Sequence, residues 1–125
     1  MRLLGEAHEQ TLIMAYNYAS LLKRLNRLEE AQSLLRKTLP VARRVLSGSS
    51  KLTLSMKQMY GETLYLDDGA TLDDLREAVT ILEDTERTAR RVLGAAHPTT
   101  AGMETALLQA QAALRARETP SGPGA

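Results

Sequence analysis

The sequence predicts an all-α chain: five helices forming about two and a half antiparallel hairpins, stacked as an α-α superhelix. Three observations lead there. The chain repeats itself. Leu4-Gly5-Glu6-Ala7-His8 returns as Leu93-Gly94-Ala95-Ala96-His97, with a degenerate copy at Leu46-Ser47-Gly48-Ser49-Ser50. Thr11-Leu12 aligns with Thr53-Leu54, Met14 with Met56 and Met103, and Ala42-Arg43-Arg44-Val45-Leu46 with Ala89-Arg90-Arg91-Val92-Leu93. The middle copy lies 42 residues after the first and the last 47 after the middle, and a period of this size is one supersecondary unit per copy, of a kind that stacks. Apolar residues also recur three and four apart, with no strand-like alternation. Finally, aromatic residues make up only 3% of the chain, as four tyrosines without Phe or Trp. The core must be built from Leu, Val, Ile, Met and Ala, and the abundant Leu, Ala, Glu, Arg and Gln favour helix.

Taken in order, residues 10–25 read as the first helix, with Leu12, Tyr16, Ala19 and Leu22 on one stripe and Leu21 and Leu25 widening it. Asn26-Arg27 breaks it. Glu29 to Leu46 is the second helix, burying Ala31, Leu34, Leu35, Val41, Val45 and Leu46. Pro40 lies inside that stretch. A proline there removes a hydrogen bond and predicts a bend, or a helix restarted after Leu39. Ser47-Gly48-Ser49-Ser50 is the next turn, with Gly48 free to take positive φ and Ser50 able to cap. The third helix covers about Lys51 to Leu66 on Leu52, Met56, Met59, Tyr60 and Leu64. Thr71 followed by Asp74 has the spacing of a capping box and opens the fourth helix, Leu72 to Leu93, which Gly94 stops. Pro98 stands where a first helical residue is tolerated. The fifth helix follows, from about Thr99 to Arg117. The last residues, 119–125, form a Pro/Gly/Ser tail expected to be disordered.

The bulk numbers bound the function. A chain of 125 residues is one domain's worth, here residues 1–118, with repeats at about 4–45, 46–92 and 93–117. The net charge of +1 supplies no field for nucleic acid or an anionic membrane. The charge is uneven, however: residues 1–64 carry ten Lys/Arg against five Asp/Glu, and residues 65–125 carry six against ten. The absence of cysteine excludes disulfides, thiolate zinc sites and thiol catalysis. No apolar run reaches the length of a membrane span, and no signal-peptide pattern opens the chain, so a cytoplasmic setting is expected.

The pattern resembles a tetratricopeptide repeat array, and most closely the long-period subtype of kinesin light chains and nephrocystin-like proteins. In that subtype Leu-Gly-x-x-His-Pro-x-Thr opens each repeat. Here the opening is Leu4-Gly5-Glu6-Ala7-His8-Glu9-Gln10-Thr11-Leu12 and again Leu93-Gly94-Ala95-Ala96-His97-Pro98-Thr99-Thr100-Ala101. The family's Asn-Leu-Ala becomes Asn17-Tyr18-Ala19, and its Glu-Glu-Ala becomes Glu29-Glu30-Ala31 and Arg76-Glu77-Ala78. Small residues fit the helix crossings: Ala19 and Gly61 within the hairpins, Ala31 and Ala78 where the second helix returns. Met59 and Ala106 depart from the pattern by replacing the family's Asn, and Leu108 stands where a small residue is usual.

The resemblance implies that the leading helices line a concave groove. Its lining would be Ile13, Tyr16, Asn17, Ser20 and Lys23 from the first helix, Gln58, Met59, Glu62 and Tyr65 from the third, and Thr105, Ala106 and Gln109 from the fifth. In the family the residue matching Asn17 hydrogen-bonds the backbone of an extended peptide. Met59 and Tyr65 suggest an adaptable apolar patch.

Other motifs have plainer readings. Arg43-Arg44 and Arg90-Arg91 sit in last helical turns, where cations oppose the macrodipole. Asp67, Asp68, Asp73 and Asp74 lack the alternation and closing glutamate of a calcium loop and suit capping. His8 and His97 occupy equivalent repeat positions, outside any metal spacing. No nucleophile, phosphate loop or cofactor signature is present, so no cofactor or metal is expected and the chain is read as non-enzymatic, binding a protein or peptide. The alternatives are a structural or self-assembling element, with homo-oligomers through exposed repeat ends, or a fragment of a larger protein whose activity lies in other domains.

Overall fold

A computed structural model describes residues 2–118, with side chains from His8 onward. Among these residues it contains five α-helices and no strand: α1 Arg2–Arg24, α2 Leu28–Val45, α3 Lys51–Tyr65, α4 Leu72–Leu93 and α5 Pro98–Glu118. The tail expected at 119–125 lies outside the described residues. Among the described residues no helix is long and apolar enough to cross a membrane.

Short turns make neighbouring helices antiparallel, and each packs on the next. α3 also touches both α1 and α5, so α1, α3 and α5 form one layer. α2 and α4 form the other, with α2 seated on α1 and α3 and α4 on α3 and α5. α2 and α4 do not approach each other. The amphipathic helices α2 and α4 can bury only one stripe each, while α3, between four neighbours, buries residues around most of its circumference. The main core joins Leu12 and Ala19, Leu35, Leu39 and Ala42, Met56, Met59, Tyr60 and Leu64, Ala78 and Leu82, and Ala106 and Ala110. A satellite core joins Leu54, Ala89 and Met103. Ala19, Ala31 and Ala78 are fully buried, as small residues at helix crossings should be.

The turns follow from their residues. Asn26 takes the left-handed conformation (φ 61°) just past α1. There the Asn26 N–H donates to Lys23 O and the Arg27 N–H to Leu22 O, a Schellman closure of the helix end. Ser50 caps α3 by accepting from the Thr53 N–H at 3.2 Å. Thr71 and Asp74 form a complete capping box on α4. Gly94 stops α4 at φ 96°. The ring of His97 accepts from the Thr99 N–H at 3.1 Å through Nδ1, so this histidine is the cap of α5.

Three expectations are corrected. α1 begins at Arg2, not near residue 10. The third repeat opening contains Pro98, which has no N–H and bars a helix from entering from upstream. The first opening has Glu9 in that place, so its helix continues backwards. The left-handed position after α2 falls on Ser47 (φ 106°) and not on Gly48. Ser47 is the counterpart of Gly94 in the repeat alignment, and the chain must reverse at that register whatever residue occupies it. Finally, α2 runs through Pro40 without being restarted. Pro40 is exposed, so water can satisfy the carbonyl it leaves unpaired on Arg36.

Candidate functional site

The layer of α1, α3 and α5 brings side chains from distant parts of the chain onto one surface. Ile13 and Asn17 of α1 are exposed there, as are Thr105 and Gln109 of α5. Tyr16, Ser20 and Lys23 of α1 and Gln58, Glu62 and Tyr65 of α3 are half-buried.

Polar contacts run across the layer. Lys23 Nζ donates to Glu62 Oε1 at 2.6 Å, tying α1 to α3. Gln58 Nε2 donates to the other carboxylate oxygen of Glu62 at 3.1 Å. The Tyr65 hydroxyl donates to Gln109 Oε1 at 2.6 Å, tying α3 to α5. Burial pushes the Tyr65 phenol up to about 12, with the nearby Glu62 carboxylate adding to the rise. Five of the candidate groove residues are thus joined in two bridges across three helices.

Met59 does not belong to this surface. It is 5% exposed and packed in the main core. Ala106 is likewise buried in the main core. The apolar patch expected from Met59 is therefore absent from the face.

What remains is a surface of amide, hydroxyl and aliphatic groups around one neutralised ion pair. Such groups can hydrogen-bond a backbone without reading its charge. Lys23 is the one candidate cation, and Glu62 already engages it, so a carboxylate clamp is not assembled from these residues.

The opposite side holds a contact that sequence reasoning missed. The Tyr60 hydroxyl donates to Glu77 Oε2 at 2.9 Å and accepts from Arg36 Nη2 at 3.3 Å, and the Arg36 guanidinium lies 5.9 Å from the Tyr60 ring centre. This single tyrosine links α2, α3 and α4 where α2 and α4 stay apart. A signal was available: a tyrosine on the core stripe of a helix must find a partner for its hydroxyl.

The acidic turn is structural. Asp67 accepts from the Gly69 N–H, Asp74 completes the capping box, and Asp73 faces Arg76. Of the basic pairs, Arg90 is bound to Glu86 and reaches Glu104 of α5.

An interleaved stack of antiparallel helical hairpins with a continuous face of leading helices defines an α-solenoid. The chain belongs to the tetratricopeptide repeat family, whose model matches residues 11–50 and 70–99, more than half of its length. No curated protein and no solved structure gives a significant match to the chain. Repeats of this family generally serve as protein–protein interaction modules and not as catalysts.

Proposed function

We propose that this chain is a non-enzymatic binding module that holds an extended segment of another protein along the face of α1, α3 and α5. The repeat units on this reading are α1–α2, α3–α4 and α5, at about residues 4–45, 46–92 and 93–117. The opening motifs favour the long-period subtype seen in kinesin light chains and nephrocystin-like proteins. The observation that supports the reading best is the pair of bridges Lys23–Glu62–Gln58 and Tyr65–Gln109, which hold three helices in register beneath the exposed Ile13, Asn17 and Thr105.

Asn17 is the leading contact: its amide can donate to and accept from one peptide unit. Ile13 offers an aliphatic shelf beside it, and Gln109 a second amide on α5. Because the one ion pair on the face among the described residues is internally neutralised, binding should depend weakly on salt.

A peptide-array screen with the intact chain tests this. Hits should lose affinity about tenfold with Asn17→Ala and with Gln109→Ala, both surface changes that leave the helical circular dichroism intact. Hits whose affinity is unchanged in both variants would overturn the groove reading. Met59 is unsuitable as a probe, since a charge there would enter the core.

A further inference from the structure

α5 carries a glycine that the packing of the chain does not explain. Gly102 is the fifth residue of that helix and is exposed. A glycine inside a helix weakens it relative to alanine. Gly61 of α3 has a reason to be glycine, the close approach of Leu82 from α4. Gly102 has no such neighbour. Apart from its chain neighbours and the helix backbone, a Cβ built there would have one atom of the described residues within 4 Å, Gln58 Nε2 of α3 at 3.9 Å, an ordinary contact. Its φ is not positive either, in contrast to Gly94.

The repeat alignment puts Gly102 on the proposed binding face. Ile13, Ser55 and Gly102 stand immediately before the aligned methionines Met14, Met56 and Met103. At one repeat position the side chain thus shrinks from the exposed Ile13 of α1, through the half-buried Ser55 of α3, to none on α5. The stripe of α5 that passes through Gly102 is Pro98, Gly102, Thr105 and Gln109, residues three or four apart on one side of the helix. All four are exposed and none is charged. Glu104 is turned towards Arg90 of α4, and Glu62 across on α3 is engaged by Lys23 and Gln58.

An extended segment laid over the three helices rests on the Ile13 side chain at α1 and meets bare backbone at Gly102. To stay in contact there it must bring the side chain that α5 lacks. A charged side chain would lose water on this stripe without gaining a partner, so the one that fits is apolar. Granted the groove reading, on which this rests, we infer that Gly102 is a notch that seats one apolar anchor side chain of the bound segment, and that the face selects its ligands by the size of that side chain.

Peptide-array hits on the intact chain test this when measured again with Gly102→Ala, each hit also being scanned by shortening its apolar residues one at a time. The added methyl has room in the free chain and removes a helix glycine, so the melting temperature should rise by about 2–5 °C. Affinity should nevertheless fall about tenfold, because the same methyl overfills the notch once the anchor is seated. Shortening one particular apolar residue of the peptide should weaken binding to the parent chain and restore binding to Gly102→Ala, the coupling expected of two groups that share one space. Hits that respond to Asn17→Ala and Gln109→Ala but not to Gly102→Ala overturn the notch and leave the groove reading standing. Hits indifferent to all three variants, or an array without hits, overturn both. A loss of affinity that no shortened peptide restores, or a melting temperature that falls, also overturns the notch.

Discussion

Gly61 of α3 and Leu82 of α4 meet so closely that a Cβ on Gly61 would lie 2.7 Å from Leu82 Cγ. Leu82 is fully buried and cannot swing aside. Gly61→Ala should therefore destabilise the fold by about 1–3 kcal/mol, less the roughly 0.5–1 kcal/mol that alanine gains in a helix. Urea unfolding measures the net loss. In a Leu82→Val background the alanine should cost less, since the two changes share one space.

Ser47 holds a positive φ of 106° after α2, where its repeat counterpart Gly94 holds 96°. A side chain at such a φ is strained and glycine is not. Ser47→Gly should raise stability by about 0.5–1 kcal/mol, visible as a higher urea midpoint. Gly94→Ser should lower it by a similar amount.

Two buried threonines should respond with opposite sign. The Thr100 hydroxyl is buried with no hydrogen-bond partner, beneath the start of α5. Thr100→Val keeps the shape and removes an unpaired polar atom, so thermal unfolding should shift upwards by the equivalent of about 1 kcal/mol. Thr85 is just as buried, but its hydroxyl donates to Ile81 O at 2.6 Å. Thr85→Val should cost about 0.5–1.5 kcal/mol.

Tyr65 links stability to alkaline pH. Its folded pKa is about 12, above the ordinary 10 of a free phenol, chiefly through burial. The folded state therefore keeps a proton that the unfolded chain releases. The contribution is fully present below pH 10 and is lost as pH rises from 10 towards 12. Unfolding free energy measured between pH 9 and 11.5 should fall less steeply in Tyr65→Phe than in the parent chain.

Much of this architecture was written in local signals. The Thr71–Asp74 spacing and Pro98 fixed helix starts within a residue, because caps and prolines act on their own neighbourhood. The alanines at 19, 31 and 78 announced the crossings. What failed was set by non-local or relative geometry. Nothing near Gly48 says that the left-handed turn belongs to Ser47; only the alignment with Gly94 does. Met59 and Glu62 lie one turn apart on the same helix, and which of them faces the groove depends on the rotation of α3 between four neighbours. The Tyr60 bridge to Arg36 and Glu77 spans two gaps in the sequence that no periodicity reports. For the candidate face, the sequence located the helices that carry it, while the cross-helix pairing of Lys23 with Glu62 and Tyr65 with Gln109 became visible only in three dimensions.

α3 alone touches every other helix. The solenoid therefore has a hub, and its outer helices can detach without disturbing one another. Amide protons should exchange last in the middle of α3 and earliest along α1, the least packed of the five. A ligand laid across α1, α3 and α5 would clamp the loosest member to the firmest one, and slowed exchange along α1 would be its signature.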